Sequence, residues 1–238
     1  MHSTKTKLLK AVNDMCEAID AELSTLLVAL DMSAAFDTID HDTLLKHLDH
    51  SFGISGDALK RLKSYLNQRS SFVKYGPGYT TINPCDVGVP RGSSLGSLLF
   101  TLFIAPLANV VASHGIKQHQ YADDMHIYIT SAKSEFSNLI STLLAYTSVI
   151  YALLINNGLA QNPSKSEAIV FQRPRYTENV IKDVNDSNIT ISSEVKSLVV
   201  VLDKTLSFDK HVVGVCRACY FHIRALRHVR SSLTEDLA

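Results

Sequence analysis

Two adjacent carboxylates, Asp123 and Asp124, sit inside a segment from Gln120 to Ile129 that is otherwise apolar, β-branched and aromatic. Ionised side chains are costly in such surroundings without a partner. The partner suited to carboxylate oxygens is a hard divalent cation such as Mg²⁺, usually held by one or two carboxylates together with a substrate's phosphates. Taken alone, an Asp-Asp pair between two strand-like runs is more often a tight turn, because Asp bonds its own backbone there. A metal reading therefore needs another acid, and one stands upstream. The run Thr25-Leu26-Leu27-Val28-Ala29-Leu30 ends in Asp31. Six uncharged residues closed by an acid read as a buried strand delivering a carboxylate at its tip. Asp31 and Asp123 are far apart in the chain, so a site that they share is tertiary.

The elements that must position these acids are partly legible. After Asp31 comes a short, small-residue loop, Ser33-Ala34-Ala35-Phe36-Asp37, and Asp40 or Asp42 is placed to cap an amphipathic helix through Leu44, Leu45 and Leu48. Gly88, Gly92 and Gly96 surround Pro90 and then open into an apolar, helix-like run, which suits close approach of backbone to a ligand. By itself that pattern is a plain loop before a buried helix. Tyr75-Gly76-Pro77-Gly78-Tyr79 reads as a turn joining two strands. Phe136, Ile140, Leu143, Ile150 and Leu154 recur near helical spacing and give one buried face.

Charge and composition limit the function classes. The chain carries 23 basic and 23 acidic residues, so no global field recruits a polyanion. The charge is uneven, however: Lys60, Arg61, Lys63, Arg69 and Lys74 form a basic stretch with no acid among them, and Arg217, Arg224, Arg227 and Arg230 form another. Either suits phosphates, although a solvated helix face is the ordinary explanation. Two stretches without Asp, Glu, Lys or Arg, Gly92 to Ile116 and Phe136 to Ser164, are long enough for a membrane span. Pro106 and Asn109 in the first, and the many Ser, Thr and Asn residues of the second, favour buried helices of a soluble domain instead. No signal peptide is visible. The four cysteines do not make a disulfide framework. Cys216 and Cys219, with His211 and His222 nearby, are only one ligand pair in a helix-like segment, short of the two pairs that zinc sites normally show. Reduced cysteines fit a cytoplasmic or nuclear setting and not a secreted one.

In this order the segments resemble the reverse transcriptases of non-LTR (LINE-like) retrotransposons. Leu30-Asp31-Met32-Ser33-Ala34-Ala35-Phe36-Asp37-Thr38-Ile39-Asp40-His41 is similar to that family's first palm motif. Gly88-Val89-Pro90-Arg91-Gly92-Ser93-Ser94-Leu95-Gly96-Ser97-Leu98-Leu99-Phe100 is similar to the second, Tyr121-Ala122-Asp123-Asp124 to the third and Asn157-Gly158-Leu159-Ala160-Gln161-Asn162-Pro163-Ser164-Lys165-Ser166-Glu167 to the fourth. Val195-Lys196-Ser197-Leu198 through Leu202-Asp203, then Leu206 to His211, resembles the segment between palm and thumb. The resemblance implies an α+β right-hand polymerase palm, an antiparallel sheet backed by helices, over residues 25–205. It adds a fingers remnant at 1–24 and a partial helical thumb at 206–238. It implies template-directed nucleotidyl transfer by an RNA-directed DNA polymerase. Asp31, Asp123 and Asp124 would hold two Mg²⁺ ions, with Mn²⁺ as the alternative, and Lys165 would serve the leaving pyrophosphate. Met32 (through its carbonyl), Phe36, Arg91 and Gly92 would meet metal or nucleotide, Phe36 by excluding the 2′ hydroxyl. The implied partners are an RNA template, a DNA primer and deoxynucleoside triphosphates, and no membrane.

Departures from the pattern carry expectations of their own. Arg91 stands where the family usually has glutamine, Ser97 where it has proline, and Val199 where it has glycine. These predict altered nucleotide contacts, a disturbed helix start and a strained primer-gripping hairpin, respectively. Only 30 residues precede Asp31, fewer than the family's fingers occupy, so the chain reads as a fragment without part of the fingers and without an endonuclease, and with impaired activity. A non-catalytic RNA-binding remnant of the same fold is the second reading and a Mg²⁺-dependent phosphohydrolase the third. Phe36 and the glycine-rich segment weigh against the third, since hydrolysis needs neither.

Overall fold

A computed structural model describes residues 4–112, 116–121, 124–162, 165–171, 180–184 and 187–230. Helix α1 (Thr4–Asp20) leads into strand β1 (Ser24–Ser33), which is the centre of the fold. Its two neighbours in the main sheet are β7 (Asp124–Ser131) and β9 (Glu167–Phe171), both antiparallel to it. Beyond β7 lies β6 (Lys117–Tyr121), and beyond β9 lie β11 (Ser187–Ser192) and β10 (Val180–Val184). The β9–β11 pairing is parallel, which makes the sheet mixed, and the short β8 (Ala160–Gln161) pairs with the end of β1.

β1 is buried on both faces, which explains why its sequence is an apolar run and not an alternation. Leu26, Val28, Leu30 and Met32 point into a large core shared with α2 (His41–His50), α3 (Gly56–Leu66), α4 (Ser94–Ala112) and α5 (Phe136–Asn156). Leu27 points the other way, into a smaller core with Ala11 and Met15 of α1, Tyr128, Ile169, Phe171 and Val195.

Local chemistry sets the helix ends. Asp40 is the cap of α2, accepting from the Thr43 N–H at 2.7 Å, and hydrogen bonding from the Thr43 side chain and then from its backbone holds the Asp40 carboxyl below the usual range. Ser93 caps α4, its Oγ accepting from the Gly96 N–H at 2.9 Å, so the helix starts cleanly with Ser97 inside its first turns. The disturbance expected from the missing proline is absent because a serine cap supplies the start. α5 ends in a Schellman motif: Gly158 takes φ +73° and the Leu159 N–H reaches the Leu154 carbonyl at 2.8 Å. That turn sends the chain back along β1 through β8.

A hairpin, β12 (Glu194–Ser197) and β13 (Val200–Asp203), lies over the smaller core, and the exposed helix α6 (Asp209–Val229) follows it. Cys216 and Cys219 lie on α6, exposed. The stretch between α3 and α4 forms a separate ribbon of β2 (Ser70–Ser71), β3 (Lys74–Tyr75), β4 (Gly78–Tyr79) and β5 (Asn83–Pro84), with Gly76 turning at φ +54°. Among the described residues no helix is long and apolar enough to cross a membrane.

Candidate active site

β1 and β7 pair in a register that sets Asp31 directly opposite Asp124, followed by Ala29 opposite His126 and Leu27 opposite Tyr128. Side chains alternate along a strand, so both acids leave the sheet on the side of the smaller core, toward the β12–β13 hairpin. Like charges directly opposite repel, and hard oxygen donors so placed suit a divalent cation. Asp123 lies outside the described residues. In sequence it falls between Tyr121 of β6 and Asp124 of β7, which are themselves a register pair.

The hairpin closes over this pair. The Leu198 N–H donates to Asp124 Oδ2 at 3.1 Å, and His126 Nε2 lies 3.0 Å from Asp124 Oδ1 at an angle short of a hydrogen bond. His126 is buried, with its Nδ1 3.4 Å from Ser197 Oγ. The resulting cleft, about 280 Å³, is lined by Asp31, Asp124, Lys165, Glu167, Lys196 and Leu198. Two cations thus share it with the acids, as a site for a polyphosphate requires. His126 is not singled out by the sequence, and Glu167, Lys196 and Leu198 fall within its motifs without a role assigned to them. The i, i+2 step from Asp124 to His126 in a strand is the signal that finds the histidine; the others arrive from elements paired only in the tertiary structure.

The candidate nucleotide-contacting residues form a second cluster. Phe36 stacks on Phe100 with ring centroids 4.6 Å apart, and the Arg91 guanidinium sits 5.8 Å from the Phe36 ring while pairing with Asp37 at 2.9 Å. Arg91 in place of glutamine therefore has its own partners in the first motif. Met32 sends its side chain into the large core, which leaves only its backbone for any role in the site. Gly92 has φ +75°, and a Cβ there would meet nothing within 4 Å. The close approaches expected of the glycine-rich segment are made to the chain itself. A Cβ on Gly88 would lie 2.8 Å from the Asp37 carbonyl oxygen, and one on Gly96 2.1 Å from that of Pro90. These glycines lock the second motif onto the first and onto its own turn.

Beneath the acids, a buried polar group ties α1 to the sheet. The Tyr128 hydroxyl bonds to Asp14 and lies 2.7 Å from His119 Nε2. Burial pushes the Asp14 carboxyl up, but the Tyr128 bond and the charges of Lys117 and His119 outweigh it and hold the group below the ordinary range. Burial, then the bond to Asp14 and its charge, push the Tyr128 phenol well above its ordinary value. The single phenolic proton therefore goes to the carboxylate, and the His119 N–H donates to the phenolic oxygen.

Comparison with known proteins decides the family. The family model described as reverse transcriptase (RNA-dependent DNA polymerase) matches residues 2–202. The chain belongs to the reverse transcriptase family. This reverse transcriptase domain is of the non-LTR, LINE-like kind. It is similar to the probable RNA-directed DNA polymerase from transposon BS of Drosophila melanogaster, at 29% identity over 95% of this chain and 25% of that protein. It is also similar to the RNA-directed DNA polymerase from mobile element jockey of Drosophila funebris, at 25% identity over 90% of this chain and 23% of that protein. The reverse transcriptase domain spans about a quarter of the length of these relatives. Among solved structures it resembles apo telomerase from Candida tropicalis truncated from its C-terminal domain. The TM-score is 0.60 with 14% identity, covering 88% of this chain and 40% of that one. The fold is thus the α+β palm of reverse transcriptases.

Proposed function

We propose that this domain carries out RNA-directed DNA synthesis, taking an RNA template, a DNA primer and deoxynucleoside triphosphates. The observation that carries the reading is the register pairing of Asp31 with Asp124 at the mouth of a cleft that also holds Lys165 and Lys196. The family is in general dependent on divalent metal. In our reading Asp31, Asp123 and Asp124 hold two Mg²⁺ ions, or Mn²⁺, with the Met32 carbonyl as a further oxygen. When bound there, such ions supply activation of the primer hydroxyl and neutralisation of the triphosphate.

The chain's own residues do the rest. Lys165 gives charge or a proton to the departing pyrophosphate. Phe36, backed by Phe100, bars a ribose 2′ hydroxyl by its bulk. Arg91, anchored on Asp37, keeps N–H donors for a phosphate oxygen, and Gly92 gives the nucleotide room. In this reading the chain divides into a fingers remnant at 1–24, the palm at 25–205 and a partial thumb at 206–238.

Primer extension on poly(rA) with oligo(dT), Mg²⁺ and dTTP tests this, with Asp123→Ala as control. Mg²⁺-dependent extension by the parent chain and none by the variant is expected. Extension no greater than the variant's would sink the reading.

A further inference from the structure

The ribbon between α3 and α4 contributes no residue to either core: from Ser70 to Pro84 every residue but Gly78 is exposed. Yet it carries large apolar and aromatic side chains. Phe72 is 54%, Tyr75 63% and Tyr79 55% exposed, with Val73 and Ile82 more open still. Surfaces of this kind mark a contact with something else. Their arrangement is ordered. Lys74 and Tyr79 are a register pair, so their side chains share one side of the ribbon. The Phe72 and Tyr79 rings meet edge to face at 5.3 Å, and Lys74 Nζ lies 5.7 Å from the centre of the Tyr79 ring. At the ribbon's base the Arg69 guanidinium lies 4.9 Å from the ring of Tyr65. No Asp or Glu occurs from Ala58 to Cys85, while Lys60, Arg61, Lys63, Arg69 and Lys74 do.

We infer that the face formed by Phe72, Lys74 and Tyr79 is a stacking platform for single-stranded RNA. Exposed rings accept unpaired bases in a sequence-tolerant way, and neighbouring cations follow the phosphates. Protein interfaces are depleted in lysine, whereas this platform has one over its central ring. Lys60 of α3 pairs with Asp57 at 3.1 Å, but Arg61 and Lys63 of α3, Arg69 at the ribbon's base and Lys74 on it have no acid between them in sequence, and their charge likewise suits a polyanion. The choice of RNA over DNA rests on the proposed function; the binding rests on the surface alone.

The test is fluorescence anisotropy with a 5′-labelled, unstructured 20-nucleotide RNA, in buffer without Mg²⁺ or nucleotide. A negative result there says nothing against primer extension, and the reverse also holds. Replacing both rings, Phe72→Ala with Tyr79→Ala, is expected to weaken binding about tenfold or more. Lys74→Ala should lower the slope of log K against log salt by about 1, while Tyr79→Ala alone leaves it unchanged. These side chains are exposed, so thermal midpoints should match the parent. Failure of the parent to bind the RNA, or variant affinities within twofold of it, overturns the inference. So does a change confined to oligomeric state by light scattering, which would make the ribbon a contact between copies. Single-stranded DNA binding where RNA does not would overturn the choice of strand.

Discussion

Leu198 combines two roles at one backbone position. Its φ of 55° lies in the left-handed region, where a Cβ costs roughly 1–2 kcal/mol, and its N–H holds Asp124 Oδ2. The strain predicted for the hairpin at Val199 falls one residue earlier. Val199 has no positive φ and stands 78% exposed, so its side chain is accommodated freely. A positive φ at only the first of two turn residues is the sign pattern of a type II′ turn, and a sequence motif does not state which turn residue takes it. Leu198→Gly should therefore be neutral or stabilising by up to about 1 kcal/mol, strain relief offsetting the added chain entropy. Val199→Gly should cost about 0.5–1 kcal/mol, since it adds entropy and relieves nothing. Urea titrations of the two variants decide, and the opposite order would assign the strain to Val199.

Between the hairpin and α6, one carboxylate organises a whole connection. Asp203 accepts from the backbone N–H and the hydroxyl of both Thr205 and Ser207 and from the Phe208 N–H, over 2.6–3.1 Å. Leu206 and Phe208 both sit at positive φ within the loop thus held. Burial pushes the Asp203 carboxyl up, but this set of donors outweighs it and holds the group well below the ordinary carboxylate range. A depressed folded-state pKa contributes stability above the unfolded value, near 3.8, that is lost as pH falls through the folded one. Asp203→Asn should thus cost about 2 kcal/mol at pH 7, and its deficit against the parent should shrink steadily below pH 4. Urea midpoints from pH 7 to 2.5 measure it; a deficit constant over that range would show that the carboxylate's charge is not what holds the loop.

Across the whole molecule the sheet separates two cores, and the acids leave it on the side of the smaller. The larger core was legible, because its helices announce themselves by period: Leu44 and Leu48 behind the Asp40 cap, and Phe136, Leu143, Ile150 and Leu154 along α5. Asp31 was legible for a similar reason, an acid closing an uncharged run. The smaller core was not, because its polar centre joins Asp14 to Tyr128 across 114 positions, and nothing local in α1 distinguishes Asp14 from Glu17 or Asp20. This contact couples the N-terminal helix to β7, the strand that begins at Asp124, so its energetics should be shared and not additive. Tyr128→Phe and Asp14→Ala are each expected to cost about 1–3 kcal/mol, the first by leaving a largely covered carboxylate without its hydroxyl donor. Once either partner is gone, losing the other removes little more. The double variant should therefore be more stable than the sum of the single losses implies, by about 1 kcal/mol or more. Denaturant unfolding of the four proteins closes the cycle, and strict additivity would mean that the Tyr128 hydroxyl does not couple α1 to β7, leaving α1 to the apolar contacts of Ala11 and Met15 and to the Lys117 and His119 charges beside Asp14.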